Sequence, residues 1–333
     1  MFELLFLGTS ASAPSVHRGL SAHLLTVENS HYRFLIDCGE GTQRQILRSG
    51  IGFKRLNRVL ITHSHLDHIL GLAGLFSTLL RWEELSEFEI YGSRYALDRV
   101  HQLIYGIVLH GEPPPVPVHL IDLKEGMFFE DDLFTVSAFP VSHRGPGCLG
   151  YVFQEKPRRR FRQETATALG VPFGPERARL VRGEAVTLTD GRVIYPNDVL
   201  DAEVPGARYI HTGDIGRVEP ILSHVQGATA LVIEATYLEE DALLADQFGH
   251  MTAARAAHFA HQAGVEALIL THISRRSRER DILAEAQAIF PNTYVARDFD
   301  RFSIRKDRPV EKLKRERATA ELSEPSDPLE DEV

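Results

Sequence analysis

The chain has 333 residues, 43% hydrophobic and 25% charged, which suits a globular protein that needs no metal or disulfide merely to fold. No run of about 18 apolar residues is present to span a membrane, and Met1-Phe2-Glu3-Leu4-Leu5 has no basic stretch ahead of its apolar residues, so no secretory signal is expected. The net charge of −9 argues against a uniformly basic nucleic-acid coat, and only two cysteines, Cys38 and Cys148, fit a reducing cytoplasm better than a disulfide scaffold.

Short apolar strands alternate with helix-like stretches along most of the chain. Phe2–Leu7 and Phe34–Ile36 read as early strands, Arg58–Thr62 as a buried strand, and Leu231–Ile233 and Ala267–Leu270 as two more. A helix is predicted from about Thr252 to Ala263, with Gly264 ending it. This is an α/β pattern, in which polar clusters at the carboxyl ends of strands are the natural place for a site.

Two segments depart from it. Lys156, Arg158, Arg159, Arg160, Arg162, Arg177, Arg179 and Arg182 stand against Glu164 and Glu176, a local +6 over 156–182. Three prolines and two glycines in the same window predict a protruding arm near residues 155–182. The remainder of 1–308 is expected to form one domain, and the charged tail 309–333 to be disordered.

Chemistry concentrates in Thr62-His63-Ser64-His65-Leu66-Asp67-His68, directly behind a predicted strand. In extended chain, residues two apart face the same side, so His63 and His65 can reach one cation together. Asp67 and His68 lie further round, where a helix begins, and can hold a second. Three histidines and an aspartate at this spacing favour metal ligation over a merely solvated turn. Further ligands must come from elsewhere. His143, Asp214 and His272 each sit just past a predicted strand, although each alone reads as readily as a satisfied turn residue. A carboxylate at Asp214 bridging two ions would give the two-metal arrangement, roughly 3.5–4 Å between ions, suited to phosphoester hydrolysis.

These residues resemble the metallo-β-lactamase superfamily and, within it, the ribonuclease Z family of tRNA 3′-processing endonucleases. The resemblance covers about residues 1–305. It is carried by Leu7-Gly8-Thr9-Ser10, Asp37-Cys38-Gly39-Glu40-Gly41-Thr42-Gln43, the histidine motif, Gly213-Asp214, Glu234-Ala235-Thr236, Gly249-His250-Met251-Thr252 and Thr271-His272-Ile273-Ser274. It implies an αβ/βα sandwich, a homodimer and two Zn²⁺ ions per subunit, with Mn²⁺ able to suit the same ligands. His63, His65 and His143 would hold one ion, and Asp67, His68 and His272 the other, with Asp214 between them. Asp67 would accept the proton of the attacking water. His250 would protonate the leaving 3′-oxygen, with Glu234 fixing its tautomer.

Arg18, Lys156, Arg158, Arg159, Arg160 and Arg275 are the expected substrate contacts. Asp37 is expected to orient the ligands, His211 to be structural, Cys38 to be packed core, and Gly39 and Gly41 to make a tight turn. The chain departs from the family at Leu66, where Gly is usual, and in Pro14-Ser15-Val16-His17-Arg18-Gly19, which lacks the family's Lys and Asn. The expected activity is zinc-dependent removal of the 3′ trailer of precursor tRNA, in the cytoplasm and without membrane association. The rival readings are a superfamily hydrolase of small phosphodiesters or aryl sulfates, and a non-enzymatic RNA-binding protein with a degenerate site.

Overall fold

The computed structural model describes residues 1–79 and 85–314. The strands, in chain order, are β1 (Phe2–Gly8), β2 (Ala22–Val27), β3 (Arg33–Ile36), β4 (Arg58–Leu60), β5 (Phe88–Gly92), β6 (Val118–Asp122), β7 (Gly126–Glu130), β8 (Phe134–Pro140), β9 (Leu149–Glu155), β10 (Val186–Thr187), β11 (Val193–Ile194), β12 (Arg208–His211), β13 (Ala230–Glu234), β14 (Leu268–Thr271), β15 (Thr293–Val295), β16 (Arg301–Ile304) and β17 (Glu311–Leu313). Eight form one sheet in the order β17-β16-β1-β2-β3-β4-β5-β6, and seven a second in the order β15-β14-β13-β12-β9-β8-β7.

The period of two along each strand explains how the sheets stack. From β1, Phe2, Leu4 and Phe6 point into a core shared with Phe134, Phe153, Tyr209, Val232 and Ile269 of the second sheet. Leu5 and Leu7 point the other way, onto Ile46, Leu72, Leu75 and Phe76 of the outer helices. In β13, Val232 faces the shared core, while Leu231 and Ile233 meet Ala256, Phe259 and Ala260. Strands buried on both faces read as unbroken apolar runs. The result is an αβ/βα sandwich. The predicted helix is Ala253–Ala263, opened by Thr252, whose side chain accepts from the Arg255 amide, and closed by left-handed Gly264.

Strands β3 to β6 run parallel, as do β12 to β15. Their carboxyl ends therefore lie together, and the loops leaving β3, β4, β12, β13 and β14 can meet across the sandwich edge. No helix among the described residues is long and apolar enough to cross a membrane.

Two expectations need correction. The arm does not end near 182. Helices Gln163–Ala168, Pro175–Val181 and Pro196–Val199 and the β10–β11 hairpin share a small core of Ala166, Val171, Leu180, Val186, Ile194 and Val199. The segment closes only where Val204 pairs with Arg158. Its returning half brings acids, so residues 156–205 hold nine Lys/Arg and seven Asp/Glu, a net +2 in place of the +6 of the shorter window. The tail also begins later than expected. Val310 is buried and β17 pairs with β16, extending the domain past residue 308, while the tail from 315 onward lies outside the described residues.

Candidate metal centre

The extended chain after β4 carries His63 and His65 side by side, and Leu66–Ile69 then turns as a helix with Asp67 and His68 in it. A Cβ on Gly39 would lie 2.4 Å from the Asp67 carbonyl oxygen, so only glycine lets the β3 loop close against this turn. His63 Nε2 lies 2.9 Å from His65 Nδ1, and His143 Nε2 lies 3.4 Å from the same atom. Asp67 Oδ2 is 3.5 Å from His272 Nε2 and 3.8 Å from His68 Nε2.

Asp214 stands between the two groups. Its Oδ2 is 3.7 Å from His63 Nε2, 3.8 Å from His143 Nε2, and 3.4 Å from both His68 Nε2 and His272 Nε2. Four nitrogens round one buried carboxylate oxygen are too distant for good hydrogen bonds. They match ligands sharing cations instead, since bonds of about 2.1 Å in a tetrahedron put ligand atoms about 3.4 Å apart. His68 Nε2 is buried with no hydrogen-bond partner. The structure thus brings together all seven residues singled out as ligands, as His63, His65, His143 with Asp214, and as Asp67, His68, His272. The donor set of imidazoles and carboxylates fits Zn²⁺ and other divalent ions.

Outward nitrogens are fixed in two matching arrangements. Asp37 accepts from His68 Nδ1 at 2.7 Å and from Thr62 Oγ1 at 2.8 Å, and that hydroxyl meets His63 Nδ1 at 3.0 Å. Glu234 accepts from His250 Nδ1 at 2.8 Å and from Thr236 Oγ1 at 2.5 Å, and that hydroxyl meets His272 Nδ1 at 3.0 Å. His143 Nδ1 donates to the Gly249 carbonyl at 2.7 Å, turning its Nε2 inward. The orienting role expected of Asp37 matches this geometry. Thr62, Thr236 and the Gly249 carbonyl were not foreseen; the two threonines neighbour motif residues in sequence, but nothing in the sequence marks a carbonyl.

The electrostatics of these side chains are consistent with a cation site. Burial opposes charge on His68, but Asp214 and Asp37 override it and hold the ring protonated well above its ordinary value. Burial likewise opposes ionisation of Asp214, yet the imidazoles round it keep its carboxyl well below the usual range. A divalent ion would take over the role of that proton and release it. Burial holds His63 and His143 neutral, the form that ligates. His250 is opposed by burial but raised to about 9 by Glu234. It lines a cleft of about 310 Å³ with Asp67, Asp214, Arg144, Tyr237 and Phe248.

The remaining site residues divide clearly. Arg18 donates to Thr9 Oγ1 and to the Ala296 carbonyl, both at 2.6 Å, and to Glu279 at 2.8 Å, so it braces its loop instead of facing the cleft. Lys156 pairs with Glu130, Arg158 with Glu155 and Asp307, and Arg159 bonds the Asp201 carbonyl and Asn197. Arg160 and Arg275 are exposed and have no ion pair among the described residues. Cys38 is buried and its thiol is pushed up to about 12, which suits core and not a nucleophile.

A model of the Beta-lactamase superfamily domain matches residues 32–201 and 199–273. The ribonuclease Z of Bradyrhizobium diazoefficiens is 47% identical over 304 residues, covering 91% of this chain and 100% of the relative. The chain belongs to the ribonuclease Z family. The ribonuclease Z of Bradyrhizobium sp. is 44% identical over the same share of both chains. The family's architecture recurs in the crystal structure of human tRNase Z, short form, with a TM-score of 0.63 at 25% identity over 91% of this chain and 98% of that one.

Proposed function

We propose that this chain is a metal-dependent endoribonuclease that removes the 3′ trailer of precursor tRNA and leaves a 3′-hydroxyl on the tRNA. The observation that carries the reading is Asp214 Oδ2 standing between two ligand groups, beside a cleft lined by Asp67 and His250. Relatives named ribonuclease Z, matched over their full length, favour this substrate over small diesters.

The fitting cofactor is Zn²⁺, two ions per subunit, held by His63, His65 and His143, by Asp67, His68 and His272, and by Asp214 between them. Bound there, the ions supply Lewis acidity and make water a stronger acid. Asp67 accepts the proton of the attacking water. His250, its Nδ1 fixed on Glu234, offers Nε2–H to the leaving 3′-oxygen. Arg160 and Arg275 remain the best placed of the expected phosphate contacts because their side chains are exposed and have no partner among the described residues. We read the protein as a cytoplasmic homodimer, a state that light scattering tests directly.

The deciding experiment is cleavage of an end-labelled precursor tRNA, with the cut mapped and the product ends identified. One cut after the acceptor stem, leaving a 3′-hydroxyl, is the expected result. Turnover of small phosphodiesters with no tRNA cleavage would overturn the reading.

A further inference from the structure

Behind the metal centre lies a pair of histidines that the reaction does not use. His23 on β2 and His211 at the end of β12 are each 1% exposed, and they belong to opposite sheets. His23 Nδ1 and His211 Nε2 are 2.7 Å apart. A polar contact across an otherwise apolar sandwich has to be fully satisfied to be tolerated, and its other ends show how it is.

The Gly213 amide donates to His211 Nδ1 at 3.0 Å. That nitrogen carries a lone pair, so a neutral His211 holds its hydrogen on Nε2 and donates to His23 Nδ1. His23 then holds its own hydrogen on Nε2, which faces Thr271 Oγ1 in a long contact of 3.4 Å, and the ring also bonds the Gly8 backbone. Burial keeps both rings neutral, consistent with this single arrangement. One backbone amide thus sets the tautomer of both rings.

The two ends of the chain of bonds have something in common. Gly213 immediately precedes Asp214, and Thr271 immediately precedes His272. Both junctions use unusual backbone. Gly213 has φ +64 and is so close to Thr62 that a Cβ would lie 2.8 Å from that side chain, while His272 itself has φ 56. A turn with no side chain of its own to anchor it depends on what holds its amide.

We propose that His23 and His211 are positioning residues, a neutral hydrogen-bonded relay between the sheets that holds the Gly213–Asp214 turn at one end and Thr271-His272 at the other. The proposal rests on the reading of Asp214 and His272 as metal ligands. It assigns the pair to metal affinity, beyond any part in packing.

Three full-length variants at one position separate these roles. His211→Asn keeps an acceptor where Nδ1 stood but cannot reach His23. His211→Gln keeps a donor where Nε2 stood but offers the Gly213 amide nothing. His211→Phe keeps a ring and loses both bonds. The readouts are Zn²⁺ affinity, by competition with a chromophoric chelator, and the melting temperature of the chelated protein. Each variant breaks the relay at one bond or at both, so each should weaken at least one ion about tenfold, the low end for partners outside the ligand shell. A purely structural pair would lower all three melting temperatures and leave affinity unmoved, which overturns the proposal. Wild-type affinity in Asn or in Gln would show that the bond it breaks carries nothing to the ligands, and overturns the relay too. Should the Phe variant not fold, His23→Leu removes the acceptor for His211 Nε2–H and is expected to show a similar loss; unchanged affinity there refutes the relay. A wild-type chain that binds no Zn²⁺ fails the metal-centre reading itself.

Discussion

The arm offers the sharpest test of substrate class, and the structure determines both the cut and its expected size. Replacing 156–182 would slice through the arm's own core, separating Ala166 and Leu180 from Val199 and Leu200. The sound excision removes 159–203 and joins Arg158 to Val204, which already pair, through a two-residue turn. That segment holds seven arginines and seven carboxylates, so the net charge of −9 is unchanged and any effect is local. Within it Arg162 faces Asp201 and Arg192 faces Asp190, Arg159 is tied to the Asp201 carbonyl and Asn197, and Arg177 is buried against Thr167 and the Val171 carbonyl, while Arg179 and Arg182 share the single charge of Glu184 and the Arg160 side chain has no partner among the described residues. That leaves about two positive charges available for phosphates. One phosphate contact contributes about 0.7 decade of affinity near 0.15 M salt, so two contribute about thirtyfold, and the salt slope should fall by about 1.8. Exposed ion pairs that reorganise on binding change this little. The assay is kcat/KM on precursor tRNA at several salt concentrations, beside hydrolysis of bis(p-nitrophenyl) phosphate. A thirtyfold loss on tRNA with an unchanged small diester is expected. Equal losses on both would mean the arm supports the fold, and no loss on either would refute its part in tRNA binding.

Other perturbations test the centre itself. Chelation should abolish cleavage and added Zn²⁺ or Mn²⁺ should restore it; full activity in stripped protein would refute the metal reading. Asp67→Ala should lose most turnover, because it removes the proposed ligand and proton acceptor together, as single-turnover rates would show. His250→Ala should slow cleavage by about 10²–10⁴-fold, the range for a general acid, with the metal count by elemental analysis unchanged. Glu234→Ala should slow cleavage and also weaken metal binding, because Glu234 reaches His272 through Thr236 as well as His250. In the loop Pro14–Gly19, Arg18 is a brace and the family's Lys and Asn are missing, so CCA-containing and CCA-less precursors should be cleaved at more similar rates than in typical members. Strong protection of CCA-containing transcripts would contradict that.

The sandwich was legible because its central strands are buried on both faces. Leu4–Leu7, Leu231–Ile233 and Ala267–Leu270 show as unbroken apolar runs, and the candidate ligands show because each stands just beyond a predicted strand. The arm's extent was hidden for the opposite reason. The strands Val186–Thr187 and Val193–Ile194 are too short to display a period, and its compensating acids, Glu184 to Glu203, lie in the returning half, beyond any short charge window. Strand β17 was missed because Glu311-Lys312-Leu313 is an edge strand whose order comes from β16 and not from its own composition.

What lies one layer behind the ligands was harder to read, because it depends on backbone conformations that residue names do not advertise. Asp37 and His272 both adopt left-handed φ, 59 and 56, where non-glycine residues are uncommon and are held only by their surroundings. Asp37 is held by three bonds, from the Thr62 amide, the Thr62 hydroxyl and His68. His272 is held through Thr236, whose hydroxyl donates to Glu234 and so must accept from His272 Nδ1. Each carboxylate thus seats one histidine directly and a second through a threonine. Asp37 serves His68 and His63, both among the proposed ligands, while Glu234 serves His272, another of them, and His250, the proposed proton donor. The same device therefore does two jobs. At Asp37 it only presents proposed ligands, and at Glu234 it ties the proposed proton donor to the candidate metal site, so that His250 is positioned by the element that seats His272.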